Sequence, residues 1–579
     1  MRTAESARHV LSVRPTFFTL GLALLTTWLG AAACTAQLSS PDAHAQPADS
    51  TAGAGGAATA SAGSAGVSQA PECAKDASLA PARIWRLTDA EYVNAVQKIF
   101  GVSLPAEVTA TAINTGDYTN FSELTVVNAG SVFAYQTAAR QAAAQAVASH
   151  LSAFLPCGTG DPCVAQFIQN RIARAFGRPL EATEAQDLLA LYHVGAAESP
   201  GAGVRLVIEA ALQSPSFLYR SELGPATPGG ANAKVSLTPH ELAAALSYAL
   251  LDSIPDDALW QKAVDGSLSK PSVLAGEVER LLALPEVQQN LAHMAGYWLG
   301  VERLVGTEKS LQAFPEFTER FKADLYRSAQ LFVRDVLGTG HVSDLLTSKR
   351  LYLNQDLAKV YGVSGVTGTA LVAVDAAAGE RSGILTQPAV LAAFSRPDRG
   401  DPIHRGLFIY NALACGLSIG PPPASAAAVA ASFPADATER QLTELRAGNP
   451  VCRTCHSFFD PLGLTTERYD PIGRYHASGA AGPIDASSTI KGLGADLDGP
   501  VSGLGDLIVR LQVGRRVSDC AVTNLSVFML GKSDSEKSCA LQNVKDQFSK
   551  TGSFKDFYRA LLTSPGFATR DAAASMPAP

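Results

Sequence analysis

From residue 84 onward, apolar side chains return every three or four positions, the spacing of amphipathic helices, with polar residues between them. Leu87-Thr88-Asp89-Ala90-Glu91 forms a capping box preceded by an apolar residue, and the glycine at 101 is a natural stop, so a helix is predicted between them. The same start recurs at Leu237-Thr238-Pro239-His240-Glu241, with proline at the first helical position. Further helices are predicted over 131–154, 164–176, 183–194, 273–284, 287–298 and 316–337. No strict apolar–polar alternation competes with them, so the fold class is mostly α, built of several helical modules. After Gly383-Ile384-Leu385-Thr386 the spacing predicts a loop over 396–405, then a helix through Cys415. Gly420-Pro421-Pro422-Pro423 and the alanines after it read as a stiff linker, and a short helix over 437–445 follows.

One internal echo stands out. Cys163, Phe176-Gly177-Arg178 and Ser214-Pro215-Ser216-Phe217 return, in order, as Cys520, Leu530-Gly531-Lys532 and Ser564-Pro565-Gly566-Phe567. The interval is too long for a solenoid and indicates two related helical modules flanking the middle of the chain.

Composition is globular, with 47% hydrophobic, 17% charged and 7% aromatic residues, and 579 residues exceed one core. Net charge is −7; without the first 33 residues 43 basic face 52 acidic residues, a balance of −9. No basic run offsets it, which argues against a nucleic-acid partner. The amino terminus reads as an export signal, with Arg2, Arg8 and Arg14 before the apolar run 17–33. The small residues before Cys34 suggest cleavage, and Cys34 resembles the lipidated cysteine of bacterial lipoproteins; simple secretion and a retained anchor are the alternatives. Residues 34–82 begin with an Ala/Gly/Ser spacer unable to form a core, which suits a tether. The expected location is outside the cytoplasm, in the periplasm or on the outer membrane or cell surface, with membrane contact by lipid anchor only.

In that setting disulfides persist. Proximity pairs Cys157 with Cys163 and Cys520 with Cys539, which leaves Cys73 for Cys415.

The chemistry concentrates at Asn449–His476, NPVCRTCHSFFDPLGLTTERYDPIGRYH. Cys452, Cys455 and His456 form C-x-x-C-H, the attachment signature of c-type haem: two thiols add to the porphyrin vinyl groups and the histidine ligates the iron. A redox dithiol needs no following histidine and a zinc site needs further ligands, for which no second C-x-x-C exists. One covalent haem c is expected, with His456 as proximal ligand. Met529, 73 residues later, is the candidate distal ligand, although it aligns with Ala175 of the echoing module and also reads as core. His404 and His476 are weaker alternatives. After the haem motif, Asp460-Pro461 and Asp470-Pro471 with Gly463 and Gly473 read as a loop around the haem edge. Glu467 and Asp470 make structural hydrogen bonds there or form an acid/base pair beside the iron, and Arg446 and Arg474 are candidate partners of the haem propionates. Asp256-Asp257 and the serines Ser214 and Ser564 read as helix caps.

These residues carry a family resemblance. RLTDAEYVNAVQKIFG, ARAFGRPLEATEAQDLL, ALQSPSFLYRSE, LTPHELAAALSYALLDSIPDDAL, the GILTQPAVLAAFS stretch and the haem motif with its DPIGRYH continuation resemble the planctomycete-type cytochrome c family. Its members are envelope proteins assembled from domains of unknown function 1587, 1595, 1592, 1588 and 1585. The resemblance covers residues 83 to 571 and implies a cytochrome-c-like haem domain embedded in helical modules. The expected organisation is a signal peptide (1–33), the linker (34–82), helical modules over 83–155 and 156–222, a central helical domain (235–363), the haem-c domain (380–478) and a C-terminal module (483–571). Relatives often carry His-Arg before the haem motif; here the pair is Leu445-Arg446, so a role for that histidine does not transfer.

The expected function is electron transfer in the cell envelope with a redox partner outside this chain. The alternatives are a haem oxidoreductase on an extracellular substrate and a non-catalytic polysaccharide-binding surface protein with a structural haem.

Overall fold

The computed structural model describes residues 78–109, 128–225, 234–377, 379–480, 482–531 and 539–571. The signal segment, Cys34 and Cys73 lie outside them. The described chain is mostly helical, and its sheets are five pairs of antiparallel strands.

Local signals set the first helices. Thr88 Oγ1 accepts from Glu91 N at 3.1 Å while Glu91 Oε2 accepts from Thr88 N at 2.8 Å, which closes the capping box of helix Asp89–Phe100. Gly101 ends it at φ 73°, a left-handed conformation that suits glycine. Thr238 and Glu241 repeat the box before Pro239–Leu251. The helix predicted over 164–176 is present as Asp161–Phe167, a π-helical turn, Ile168–Ile172, and a last turn, Ala173–Ala175.

Two apolar cores result. The smaller joins Leu87, Tyr92, Ile99 and Phe100 to Tyr135, Phe167, Ile208 and Phe217. The larger runs from Leu237 to Phe567 and includes side chains of the haem-motif helix, Phe459 and Leu462. Helix Pro215–Leu218, capped by Ser214, leads into strand Tyr219–Glu222, which pairs with Arg83–Arg86. Helix Pro565–Ala568, capped by Ser564, leads into Thr569–Asp571, which pairs with Lys234–Ser236. The two echoing sequences thus end in the same capped turn and strand.

A buried ion cluster joins these ribbons. Arg83 Nε and Arg570 Nε donate to Glu222 Oε2 at 2.9 and 2.8 Å, and Arg220 pairs with Glu91 at 3.1 Å. Trp85 lies between Arg220 and Arg83, whose guanidinium carbons stand 3.6 and 4.1 Å from its ring centre. Burial alone would raise the Glu222 carboxyl, but Arg570 and Arg83 hold it down at about 2.

The structure changes three expectations around the haem domain. The predicted 396–405 loop contains a helix start: Asp401 accepts from His404 N at 3.1 Å, Pro402 takes the first turn, and helix Pro402–Phe408 runs into the π-helical turn Ile409–Leu413. The helix ends before Cys415, which has φ 42°. The turn packs on helix Arg516–Leu530, so Cys415 bonds Cys520, with 5.4 Å between Cα atoms. The expected Cys520–Cys539 and Cys73–Cys415 pairs are therefore incorrect, whereas Cys157–Cys163 forms as expected.

Candidate functional site

Thr438 and Gln441 cap helix Glu439–Gly448, and Asn449 caps the next helix, Pro450–Leu464, by accepting from Val451 N at 2.9 Å. The two helices pack together. Cys452, Cys455 and His456 occupy the second, with the cysteines three residues apart and the histidine four after Cys452, so the three share a face. Both thiols are free; Cys452 is buried and Cys455 half-buried, and burial pushes the Cys452 thiol up. Cys157, Cys163, Cys415, Cys520 and Cys539 are all disulfide-bonded.

The helix continues one turn further than expected. Asp460, Pro461 and Gly463 belong to it rather than to a loop, and Gly463 has no positive φ. Its lack of a side chain serves a close crossing instead. A Cβ on Gly463 would meet the Pro402 carbonyl oxygen at 1.8 Å, and one on Gly406 would meet the Phe459 oxygen at 1.9 Å. Gly473 does take a left-handed turn, φ 83°, against Pro388.

Because the helix continues, Asp460 lies one turn below His456. His456 Nδ1 and Asp460 Oδ1 are 2.9 Å apart, and Arg446 Nε donates to Asp460 Oδ2 at 2.6 Å. Arg446 Nη2 donates to Thr443 Oγ1 at 2.9 Å. The Asp460 side chain is 1% exposed and that of Arg446 8%, while that of His456 is 23% exposed. The Phe459 ring stands 4.8 Å from the imidazole, centre to centre. Asp460 is the residue that the sequence reading missed; its spacing of four from His456 was the signal, masked by the proline after it.

Buried Arg405 secures the segment after the helix. It donates to the carbonyls of Thr466, Tyr469 and Asp470 at 3.1, 2.8 and 2.9 Å and to Ser395 Oγ at 2.7 Å. Burial lowers its guanidinium to about 10 despite nearby Glu467 and Asp401. Asp470 accepts from the backbone of Ile472 and Arg474 and from Arg474 Nε, while Arg474 Nη1 also pairs with Glu316 at 2.7 Å. Burial would raise the Asp470 carboxyl, but its bonds to Arg474 hold it low; burial pushes the Glu467 carboxyl up.

The remaining candidates separate. Met529 is buried in the larger core on helix Arg516–Leu530, which packs on Pro239–Leu251, Pro285–Trp298 and Cys539–Thr551. His404 and His476 contact Asp401 and Asp470 at 2.6 and 3.2 Å. Asp256 caps its helix and pairs with Arg280.

The residues present suit haem c. Two unpaired thiols share a face with His456, whose Nδ1 is engaged and whose Nε2 has no partner among the described residues. Among the described residues no group of three or more His, Cys, Asp or Glu is arranged to hold a metal ion alone.

Four family models match the chain: residues 85–148 (PSD3, protein of unknown function DUF1587), 163–222 (PSD5, DUF1595), 237–363 (PSD4, DUF1592) and 381–479 (PSCyt3, DUF1588). All four are domains associated with planctomycete cytochrome c. The chain belongs to the planctomycete-type cytochrome c family. The PSCyt3 match contains the C-x-x-C-H helix, Arg446, Asp460 and the Arg405-stapled segment. No curated protein and no solved structure matches the chain. Among the described residues no helix is long and apolar enough to cross a membrane.

Proposed function

We propose that the chain is an exported c-type haem protein that transfers electrons in the cell envelope. The observation that carries this reading is the pair of free thiols at Cys452 and Cys455 beside His456, in a chain whose other described cysteines are oxidised. Cys452 and Cys455 would hold one haem covalently and His456 would ligate its iron through Nε2; the bound haem supplies a one-electron couple. Oxidised cysteines support an extracytoplasmic location, and lipidation at Cys34 after removal of the signal segment would tether the protein. Arg446 and Arg474 were expected at the propionates. Their carboxylate pairs with Asp460 and Asp470 favour a supporting role, Arg446 beneath His456 and Arg474 in the following turn.

The visible spectrum of the mature chain, produced with haem-attachment machinery, tests the reading. A c-type reduced spectrum indifferent to carbon monoxide supports the carrier. A Met529→Ala spectrum that loses its low-spin form identifies the distal ligand; an unchanged one removes Met529 from that role.

A second reading, a haem oxidoreductase on an extracellular substrate, has one observation in its favour. A cavity of about 470 Å3 is lined by Glu316, Arg320, Asp324, Asp356, Lys359 and Arg474, charged residues that include one from the segment after the haem motif. Carbon monoxide binding to the reduced wild type would favour it over the carrier.

A further inference from the structure

Building on the haem-c reading, we propose that Asp460 is a positioning residue that fixes the His456 tautomer and, by its charge, biases the iron toward the ferric state. A histidine that ligates metal through one ring nitrogen is oriented by what its other nitrogen donates to. Here that acceptor is a carboxylate, Asp460 Oδ1 at 2.9 Å, on the same helix. With the Nδ1 proton committed to Asp460, Nε2 carries the free lone pair. A carboxylate acceptor adds negative charge behind the ring, makes the imidazole a stronger donor and stabilises the more positive iron state. Water and salt screen the carboxylate little, because it is 1% exposed, and Arg446 on its other oxygen offsets only part of its charge at the ring.

Arg446 makes the arrangement sustainable. An unpaired carboxylate at such depth would destabilise its surroundings. The 2.6 Å bond from Arg446 Nε to Oδ2 supplies the compensating charge, and Thr443 orients the guanidinium through Nη2. Each carboxylate oxygen thus has one partner, the imidazole on Oδ1 and the guanidinium on Oδ2. The glycine crossing of Gly406 and Gly463 fixes the position of the helix turn that carries Asp460. No such element was expected from the sequence, where Asp460 read as a loop residue.

The test compares the mature full chain with Asp460→Asn, which keeps an acceptor oxygen but removes the charge, and Asp460→Glu, which keeps the charge. The equilibrium reduction potential is the main readout. The expected result is covalent haem in all three proteins and, for Asp460→Asn, at least a tenfold loss in preference for ferric over ferrous, a rise of about 59 mV for a one-electron couple. Asp460→Glu should restore much of that shift. An unchanged potential in fully loaded Asp460→Asn would overturn the charge role. A second measurement needs no haem: ring-15N-histidine NMR of the haem-free full chain, with His456 assigned by its absence in His456→Gln. A proton on Nδ1 in the wild type supports the positioning role, and a proton on Nε2 would overturn it. If the wild type takes up no covalent haem, the haem-c reading fails, while the NMR result still decides whether Asp460 sets the tautomer.

Discussion

Two buried carboxylates, Glu222 and Asp460, have similar depth and different surroundings. Glu222 receives Arg83 and Arg570 on one oxygen, drawn from both ends of the described chain, with Arg220 nearby. Asp460 divides its oxygens between Arg446 and His456, two helices within 15 residues of sequence. An arginine–arginine environment only closes the fold; nothing in it faces outward to react. An arginine–histidine environment leaves one ring nitrogen, Nε2, without a partner among the described residues, on the helix that carries two free thiols. The lesson is that burial and charge pairing alone do not mark a site. What sets Asp460 apart is that its buried carboxylate reaches a partly exposed imidazole.

The largest effect is expected from Glu222→Ala, which strands two buried guanidinium groups. It should cost about 3–5 kcal/mol in chemical denaturation and leave the potential of the loaded protein unchanged; a shifted potential would show that the two clusters are coupled. Acid should act on the same cluster. Glu222 is held near 2 when folded and titrates near 4.5 when unfolded, so the unfolded chain takes up its proton first. Its contribution, about 3 kcal/mol for that difference, is complete above pH 4.5 and is lost as pH falls toward 2. Denaturation midpoints across that window should fall less steeply in Glu222→Gln. Gly463→Ala comes next: a methyl group facing the Pro402 carbonyl should cost about 1–3 kcal/mol, and it should also disturb the His456–Asp460 pair, seen in the same ring-15N spectra. Thr438→Ala removes only the cap of the preceding helix and should cost about 1 kcal/mol with no change in those spectra.

Much of this was legible where the signal was local. The Thr88–Glu91 and Thr238–Glu241 boxes, the Ser214 and Ser564 caps, and the Cys157–Cys163 bond each fall within a few residues of sequence. Cys415–Cys520 spans 105 residues and depends on how a π-helical turn meets a distant helix, which no spacing rule contains. Proline and glycine misled twice. A loop was expected over 396–405 and again at Asp460-Pro461, yet Asp401-Pro402 starts a helix and Asp460-Pro461 lies inside one. Gly463 looked like a turn residue because its true function, a helix crossing with Gly406, needs the tertiary contact to be seen. The C-x-x-C-H triad was plain in the sequence; Asp460, Arg405 and the pairing of Arg446 were not.

The most direct measurement of the central claim is the intact mass of the mature chain beside Cys452→Ser/Cys455→Ser. The wild type should carry the added mass of one haem and the double variant none. A wild type matured with attachment machinery that carries no haem, or a double variant that carries as much as the wild type, would contradict it.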